Sequence, residues 1–456
     1  MEPLRNTTTG RRLVRVGFLL VVVLAGVVVA SGYTGANLTD RYEDGEATVA
    51  PRDGATVITT SPRSSADASI VAFAPNGSTL YYNETYDYYF DVDPVPGTTR
   101  SVEYVAVEFV NANCDLESRI TGGRPCSRNV VERVNLSTGE VTRLFDYKTR
   151  PKDVGGWHDV DRVGEDRFVV AGSTNDRVFV YNTTTGLIEW QWSVQSGFDT
   201  ESGGLFPSDW AHLNDVERLP DGRIMVSARN QDQVVFLDPE TGVDDEWTLG
   251  TDDDYDTLYE QHNPDFIPAE RGGPAVLVAD SENNRLVEYQ RVEGEWEQTW
   301  TWQDTSVQWP RDGDRLPNDH TLVTDSGGDR VLEIDERGEV VWSVPVDTPY
   351  EAERLGTGDE SATGRAASTI PDAESRTVPS AAAVSEGGIS AETRVVSLAR
   401  TVFPPLLLNG IVFLAPPGFG VVHVAAVALL LASLGLWAVV EFRWSAFTLR
   451  LPVGRE

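Results

Sequence analysis

Short apolar strands separated by polar turns fill the middle of the chain, from residue 68 to residue 347. In the stretch 210–230, a polar segment leads to a Pro-Asp-Gly sequence at 220–222, and apolar and polar residues then alternate over 223–227. Alternation with a period of two is typical of a half-buried strand, and Pro-Asp-Gly is typical of a turn. The pattern therefore predicts antiparallel strands joined by tight turns.

A short phrase that ends in glycine recurs through this region. Its five copies are Asn135-Leu-Ser-Thr-Gly139, Asn182-Thr-Thr-Thr-Gly186, Asp238-Pro-Glu-Thr-Gly242, Arg291-Val-Glu-Gly294 and Asp335-Glu-Arg-Gly338. Most copies precede a strand that contains tryptophan. A period of roughly 50 residues with several strands per unit is typical of a β-propeller, whose blades bury their faces against one another. We predict an all-β, six-bladed β-propeller over residues 68–347, with blades beginning near residues 68, 102, 157, 212, 262 and 309.

Apolar runs flank the predicted propeller on both sides. Residues 1–15 are basic, and the apolar run at 16–33 predicts a signal anchor that crosses the membrane as a helix. Residues 420–440 are long enough to form a second transmembrane helix, and a basic tail follows at 442–456. The run 402–415 is shorter and contains two prolines, so the sequence predicts one or two C-terminal transmembrane helices.

The segments between these parts lack a strand pattern. We predict an exported linker over 34–67 and a disordered linker, acidic and rich in Gly, Ser and Ala, over 348–398. A hydrophobic membrane region follows at 399–441. Because the basic flanks favour the cytoplasm, the propeller is expected on the extracellular face of the cell membrane.

The composition is strongly acidic. The formal net charge is −34, and Lys148 and Lys152 are the only lysines. This acidic, lysine-poor composition predicts that the protein comes from an extreme halophile, because concentrated salt screens the repulsion among the carboxylates. A nucleic-acid partner is not expected, since nothing in the sequence forms a basic patch.

An exported location changes the interpretation of two further features. The two cysteines, Cys114 and Cys126, are expected to close a small loop as a disulfide in an oxidising compartment. Candidate glycosylation sites in Asn-x-Ser/Thr sequences are Asn37, Asn76, Asn83, Asn135 and Asn182.

Histidines stand at matched positions of three predicted blades: His158, His212 and His262. Equivalent positions of successive blades form a ring around the central channel, so these side chains should converge at the channel mouth, which is the predicted site. Asn214 and Arg229 should lie beside His212 if the segments on either side of the Pro-Asp-Gly turn pair as neighbouring strands.

Other residues recur at the blade starts. Trp309 has the ring position of its blade, where it could flank an aromatic substrate or pack between blades. An aspartate also recurs at one position of four predicted blades: Asp159, Asp215, Asp265 and Asp312. A recurring aspartate more often ties a turn or orients a neighbouring residue than acts in catalysis, so we interpret these four as structural. The acidic run at 252–256 lacks the spacing of a calcium loop, and we predict neither a metal ligand nor a cofactor.

Three of these stretches resemble the aryl sulfotransferase family: Trp157-His-Asp-Val-Asp, His212-Leu-Asn-Asp with Ser227-Ala-Arg-Asn, and Gln261-His-Asn. The resemblance covers residues 68–347, and the family consists of six-bladed β-propellers that move sulfuryl groups between phenols without a nucleotide donor (PAPS-independent). It implies that His262 is the nucleophile that becomes sulfated. It further implies supporting sulfate-binding roles for His158, His212, Asn214 and Arg229.

The chemistry of sulfuryl transfer suits this set of residues. The group in transit spreads negative charge over three oxygens, so a site needs fixed cations and hydrogen-bond donors. A neutral imidazole is nucleophilic at pH 7, and a covalent adduct divides one displacement into two. We therefore predict an arylsulfate sulfotransferase with ping-pong kinetics, which takes an aryl sulfate donor and a phenol or other hydroxyl acceptor.

Two alternative functions remain open from the sequence. One is a non-catalytic cell-surface propeller that binds a glycan or a protein. The other is a quinoprotein-type oxidoreductase, suggested by the spacing of the phrase from Asp238 to Trp247. The second alternative predicts a calcium site with paired carboxylates in the channel.

Overall fold

The computed structural model describes residues 8–33, 38–45, 47–61, 67–110, 126–150, 156–377, 391–416 and 418–445. Six antiparallel sheets in these residues form the blades of a β-propeller, so the predicted six-bladed, all-β fold is confirmed. Asn37, Cys114 and part of each predicted linker lie outside the described residues. The Cys114–Cys126 disulfide therefore stays a prediction.

Each blade runs outward from an innermost strand beside the central channel. The closing blade contains β25 (Pro349–Arg354), β1 (Thr56–Thr60), β2 (Ile70–Phe73) and β3 (Thr79–Asn83). The first blade contains β4 (Tyr88–Pro94), β5 (Ser101–Val110), β6 (Cys126–Asn135) and β7 (Glu140–Thr149). The second contains β8 (Asp159–Arg162), β9 (Arg167–Gly172), β10 (Arg177–Asn182) and β11 (Leu187–Ser193).

The other three blades follow in chain order. The third contains β12 (Leu213–Arg218), β13 (Ile224–Ala228), β14 (Gln233–Asp238) and the short strands β15 (Gly242–Val243) and β16 (Leu249–Gly250). The fourth contains β17 (His262–Ile267), β18 (Ala275–Asp280), β19 (Arg285–Val292) and β20 (Glu295–Trp302). The fifth contains β21 (Pro310–Arg315), β22 (Thr321–Asp325), β23 (Arg330–Ile334) and β24 (Val340–Pro345).

The closing blade joins the two ends of the propeller. Its innermost strand β25 comes after the other blades in the chain and pairs with β1, Thr56 opposite Arg354. Both strands lie outside the predicted range 68–347, in the segments predicted as linkers. The four later blades begin close to the predicted positions, but the innermost strands of the other two are at 349–354 and 88–94, not near 68 and 102.

The recurring glycine phrases form the hairpin turns between the outer strands. The side chain of Asn182 accepts hydrogen bonds from the backbone N–H groups of Thr184 and Thr185, 2.9 Å each, and Asp238 accepts in the same way from Glu240 and Thr241. The glycine that ends each phrase has a positive φ, +70° at Gly186, which a residue without a Cβ adopts at low cost. Asn182 is buried and donates to Glu189, so among the described sequons it is poorly placed to carry a glycan.

The tryptophans of the outer strands tie neighbouring blades together. The indole N–H of Trp190 donates to Pro239 O in the turn of the next blade, 2.8 Å away. Trp302 donates to Gly338 O in the same manner, at 3.0 Å. Because buried indole N–H groups need a partner, the phrase and the tryptophan recur together in the sequence.

The six innermost strands surround a channel lined with carboxylates. Many of these groups accept a hydrogen bond from the backbone of the next blade: Asp91 from Val160 N (3.0 Å), Glu217 from Phe266 N (3.0 Å), and Asp312 from Ala352 N (3.2 Å). Asp159 accepts from Val216 N. Of the four recurring aspartates, Asp159 and Asp312 therefore tie adjacent innermost strands together, and Asp265 accepts instead from the hydroxyl of Ser361.

Four α-helices in the described parts of the chain flank the propeller: α1 (Thr8–Tyr33), α2 (Ala391–Val402), α3 (Pro405–Leu414) and α4 (Val421–Trp444). Residues 9–33 and 421–444 are long and apolar enough to cross a membrane, with mean hydropathies of 2.8 and 2.2. Helices α2 and α3 form a pair bent by 119°, which is a broken span or a re-entrant loop by length and composition. The structure thus contains both predicted candidate spans and an additional bent pair.

Candidate active site

One face of the propeller carries a cavity of about 340 Å³ at the starts of the innermost strands. Five predicted residues line it: His158, His212, His262, Arg229 and Trp309. The rings of His158 and His212 have their centres 5.0 Å apart, and His262 and Trp309 are 6.2 Å apart. The structure therefore brings together side chains from four blades.

Irregular pairing at the start of the innermost strands positions these side chains. The register with the second strand shifts between Leu213 and Asp215 and again between His262 and Asp265. His212 and Trp309 have φ values of 50° and 54°, which side chains other than glycine rarely adopt. The first residues of these strands therefore depart from the regular alternation of side chains. Strained backbone conformations of this kind often occur at functional sites.

His212 belongs to a polar group with Asp209 and Arg229. Its Nδ1 lies 2.7 Å from Asp209 Oδ1, and since a carboxylate only accepts, Nδ1 carries the proton. Nε2 of His212 is then left with its lone pair. Arg229 follows strand β13, which pairs with β12, and this pairing brings its Nη1 to 3.0 Å from His212 Nδ1.

Arg229 is fixed by neighbours on both sides. Its Nη2 is paired with Glu260, and its Nη1 donates to Asn230 Oδ1 at 3.1 Å. Asn230 in turn donates to Asp209 O at 2.7 Å. The guanidinium is therefore a preorganised cation beside the histidines.

His262 is held through Ser281. The hydroxyl of Ser281 lies 2.7 Å from Pro310 O, to which it donates its hydrogen, and 2.8 Å from His262 Nδ1. The hydroxyl oxygen therefore accepts from Nδ1–H of His262. This arrangement fixes the tautomer of His262 with an unprotonated Nε2, which is the form that acts as a nucleophile.

His158 packs between two aromatic side chains. Its ring stacks on Phe90 with centres 4.4 Å apart, and Tyr350 Oη lies 3.3 Å from its Nδ1. Burial raises the pKa of Tyr350 well above its usual value, so the phenol keeps its proton and is able to donate it to Nδ1. In the tautomer that accepts this bond, Nε2 of His158 carries a hydrogen, and this buried atom has no partner within the described residues.

All three histidines are electrostatically biased toward the neutral form. Burial lowers the pKa of His262 well below its usual value, and the charges of Arg311 and Arg229 lower it further. The same causes, with the neighbouring His212, lower the pKa of His158. Burial and Arg229 also lower the pKa of His212, although Asp209 acts in the opposite direction.

Asn214 does not line the cavity. Its amide Nδ2 donates to Gln261 O at 3.0 Å, in the residue that precedes His262. An alternating strand would place Asn214 on the same side as His212, but the register shift at this position turns it toward the neighbouring blade. The direct sulfate-binding position implied for Asn214 therefore differs from its place in the structure.

Three further lining residues were not singled out from the sequence: Arg311, Tyr350 and Glu282. The guanidinium of Arg311 lies 4.5 Å from the ring centre of Trp309 and 4.9 Å from that of Tyr350. Arg311 follows Trp309 by two residues, as Asn214 follows His212, and this repeated spacing was the available signal. Tyr350 lies on β25, beyond the predicted end of the propeller.

Glu282 stands at the rim of the cavity, where helix α3 covers it. Asn409 of α3 donates to Glu282 Oε2 at 2.8 Å, and the ring of Phe413 lies 5.3 Å from that of Trp309. Burial and the nearby Glu260 raise the pKa of Glu282 to about 7. The cavity thus combines histidines and arginines at its base with one titrating carboxyl at its rim.

Carboxylates in the described residues form three groups with ligand atoms within 4.8 Å of one another: Asp91, Asp93 and Glu351; Asp265, Asp312 and Asp314; and Asp232, Asp252 and Asp253. The first two groups lie in the channel and could hold a cation such as Ca²⁺. They are separate from the residues that line the cavity.

One solved structure of similar shape is a protein from Bacteroides caccae, with a TM-score of 0.44 and 11% sequence identity over 66% of this chain and 98% of that chain. Another is a periplasmic gluconolactonase of Pseudomonas aeruginosa, with a TM-score of 0.41 and 14% identity over 67% of this chain and 99% of that chain. A third is a catalytically inactive virginiamycin B lyase of Staphylococcus aureus, with a TM-score of 0.39 and 8% identity over 66% of this chain and 87% of that chain. TM-scores this low support no inference about function. The chain matches none of the curated proteins with which it was compared.

A family model does match the region of the site. The match covers residues 141–346, which include the three histidines, Arg229 and Trp309 but end before Tyr350. Over these residues the chain is similar to the arylsulfotransferase (ASST) family.

Proposed function

We propose that this protein is a sulfotransferase that moves a sulfuryl group from an aryl sulfate to a hydroxyl acceptor through an adduct on His262. The observation that carries the proposal is the convergence of three histidines and two arginines on one cavity, where burial lowers the pKa of each imidazole. The similarity of residues 141–346 to arylsulfotransferases supports the same class of reaction.

His262 is the proposed nucleophile because its Nδ1–H is anchored on Ser281. In the first step, Nε2 attacks the sulfur, an N–S bond forms, and the bond from sulfur to the aryl oxygen breaks. The aryloxide leaves with the electron pair of that bond. In the second step, the acceptor oxygen attacks the sulfur, the N–S bond breaks, and His262 is restored.

His212 is the proposed general base of the second step. Its Nε2 lone pair can take the proton of the acceptor hydroxyl as that oxygen attacks sulfur. The carboxylate of Asp209, on the other ring nitrogen, stabilises the imidazolium that forms. Because its pKa is lowered, the imidazolium then gives this proton to solvent, which also protonates the released aryloxide, and neutral His212 is restored.

The charge on the moving group is balanced by fixed donors. Arg229 and Arg311 supply two cations at the cavity, and the Nε2–H of His158 is a buried donor without a partner among the described residues. Preorganised donors of this kind stabilise charge that develops in a transition state, because they need no reorganisation. Trp309 and Phe90 supply flat apolar surfaces for an aryl group.

We place the propeller outside the cell, anchored by α1 and α4. Arginines at the start of α1, including Arg11 and Arg12, favour a cytoplasmic location for that end of the helix. The other end of α1 leads into the propeller, which then lies on the opposite side.

The quinoprotein alternative draws support from the two carboxylate groups in the channel. Their hydrogen bonds to backbone N–H groups of neighbouring blades already give them a structural role. A bound quinone would add visible absorption to the purified protein, and we expect only the absorption of aromatic side chains.

Turnover of p-nitrophenyl sulfate with phenol as acceptor tests the proposal, and His262→Ala should lower kcat/KM by about 10³-fold or more. The matched control is His320→Gln, because His320 lies outside the cavity with its Nδ1 2.6 Å from Glu333. We expect this variant to keep its activity. Two outcomes would argue against a nucleophile at His262. One is that both variants remain active, and the other is that both lose activity although both are folded.

A further inference from the structure

The cavity faces the side of the propeller from which both candidate membrane spans emerge. Gly418 N, just before α4, donates to Asp329 Oδ2 at 3.0 Å, and Thr39 N, shortly after α1, donates to Asp347 Oδ2 at 2.9 Å. Asp329 follows the turn 326–328, where Gly327 N bonds to the residue before Trp309. The spans therefore join the propeller at the rim of the cavity.

The two spans pack against each other and leave the rim together. The ring of Tyr33 lies 4.9 Å from that of Phe419 at the propeller end, and Arg15 pairs with Glu441 at 2.5 Å at the far end. An antiparallel helix pair of this kind places the rim at the membrane surface. The open face of the cavity is thus directed toward the bilayer.

The opposite route into the cavity is unfavourable for an anion. Below the histidines, the channel is lined by buried carboxylates, among them Asp159, Asp215 and Asp265. An aryl sulfate carries a negative charge, which each ionised carboxyl of the channel repels strongly where water is scarce, and a protonated carboxyl offers no cation to balance it. Substrates are therefore expected to enter from the membrane side.

Helix α3 forms the wall between the cavity and the lipid. Leu406, Asn409, Gly410 and Phe413, spaced three and four residues apart, line the cavity. The next face of the same helix is exposed and apolar, with Leu407 47% exposed and Leu414 78% exposed. The helix contains no charged residue, so this exposed apolar surface is suited to contact with lipid.

We infer that the acceptor is an amphiphile dissolved in the membrane, whose hydroxyl head group reaches His262 while its apolar tail leaves the cavity beside α3. The inference rests on the proposed sulfuryl transfer and specifies its substrate class. A phenol or alcohol with a long alkyl chain has this chemistry. The head group fits among Trp309, Phe413 and the histidines, and the tail lies against Leu406 and the lipid.

The test uses the full chain reconstituted in phosphatidylcholine vesicles, with p-nitrophenyl sulfate as donor and either phenol or 4-dodecylphenol as acceptor. Sulfated products are measured by mass spectrometry. The rate with dodecylphenol should follow its mole fraction in the bilayer, so that added plain lipid slows transfer at constant total acceptor. The rate with phenol should not change.

Leu414→Glu places a charge on the lipid-facing side of α3 without touching the cavity lining. We expect it to lower kcat/KM for dodecylphenol by about tenfold, equivalent to about 1.4 kcal/mol, and to leave phenol within about twofold. Leu187→Glu is the control, because Leu187 is an exposed apolar residue on the outer strand β11. It should alter neither acceptor.

Equal losses for both acceptors in Leu414→Glu, or no dependence on the mole fraction, would overturn the membrane inference while leaving sulfuryl transfer intact. Failure to sulfate either acceptor, without an adduct on the protein, would instead reject the proposed function itself.

Discussion

At the scale of single residues, Arg229 and Arg311 serve two purposes at His262. Their charges, together with burial, lower the pKa of the imidazole and keep its Nε2 unprotonated. They also lie where the oxygens of a bound sulfuryl group would need cations. The site therefore needs no separate base to activate its nucleophile.

The pH dependence of the first half-reaction follows from two of these groups. A free imidazole is half protonated near pH 6.5, but the lowered pKa of His262 keeps it neutral there, so the maximal rate of aryl release should stay flat from pH 7.5 to pH 6. The pKa of Glu282 is raised to about 7, so this carboxyl is neutral below pH 7 and anionic above. The KM for the anionic donor should therefore rise a few-fold as the pH passes 7.

Stopped-flow release of p-nitrophenol measures both quantities. Glu282→Gln should abolish the rise in KM and leave the maximal rate unchanged. A maximal rate that halves near pH 6.5 would show that His262 titrates like a free imidazole, contrary to the lowered pKa described above.

At the scale of elements, the irregular starts of the innermost strands decide which side chains face the cavity. His212 and Asn214 are two residues apart, and regular alternation would place both on one side. The register shift in β12 sends Asn214 to the backbone of Gln261 instead. Asn214 is accordingly a positioning residue for the strand that carries His262.

Asn214→Ala separates these two roles. Loss of a buried hydrogen bond should lower stability by about 1 to 3 kcal/mol and reduce the melting temperature. The KM for p-nitrophenyl sulfate should stay within about twofold of the original, because the amide does not reach the donor. An unchanged melting temperature with a large increase in KM would return Asn214 to the role implied by the family resemblance.

The sequence predicts those elements whose signals are local. The glycine phrases and tryptophans mark hairpins within one blade or between adjacent blades, so six blades and the ring of histidines could be predicted. The strand β25 could not, because its partner β1 is almost the whole propeller away in the chain. Tyr350 was missed with it. The start of the first blade was also missed, because only a short turn separates β4 from the last strand of the closing blade, β3.

At the scale of the whole molecule, acidity is concentrated in the channel as well as on the surface. Eleven carboxyls on the innermost strands have raised pKa values, chiefly through burial: Asp91, Asp93, Asp159, Asp161, Asp215, Glu217, Asp265, Asp312, Asp314, Glu351 and Glu353. The folded protein thus binds more protons than the unfolded chain at pH values above about 4.

Stability should consequently fall as the pH rises from 5 to 8. A carboxyl with a raised folded pKa contributes fully below its unfolded pKa, and the contribution is lost as the pH rises toward the folded pKa. The three buried histidines act in the opposite direction below pH 6.5, but the carboxyls outnumber them. Melting temperatures recorded at constant salt should be higher at pH 5 than at pH 8, and the reverse order would contradict the description of the channel.

The position of α3 could not be predicted from its sequence. Its ten residues are too few to span a bilayer, and the apolar pattern alone does not distinguish a broken span from an interfacial helix. Only the contacts of Asn409 and Phe413 with the rim reveal that it covers the cavity.

The central claim is a covalent adduct on His262, and peptide mass spectrometry after brief exposure to excess p-nitrophenyl sulfate tests it most directly. We predict an increase of about 80 Da, the mass of an SO₃ group, on the peptide that contains His262, and loss of this increase when phenol is added. An adduct that maps to another residue, or release of nitrophenol with no adduct at any time, would contradict the claim.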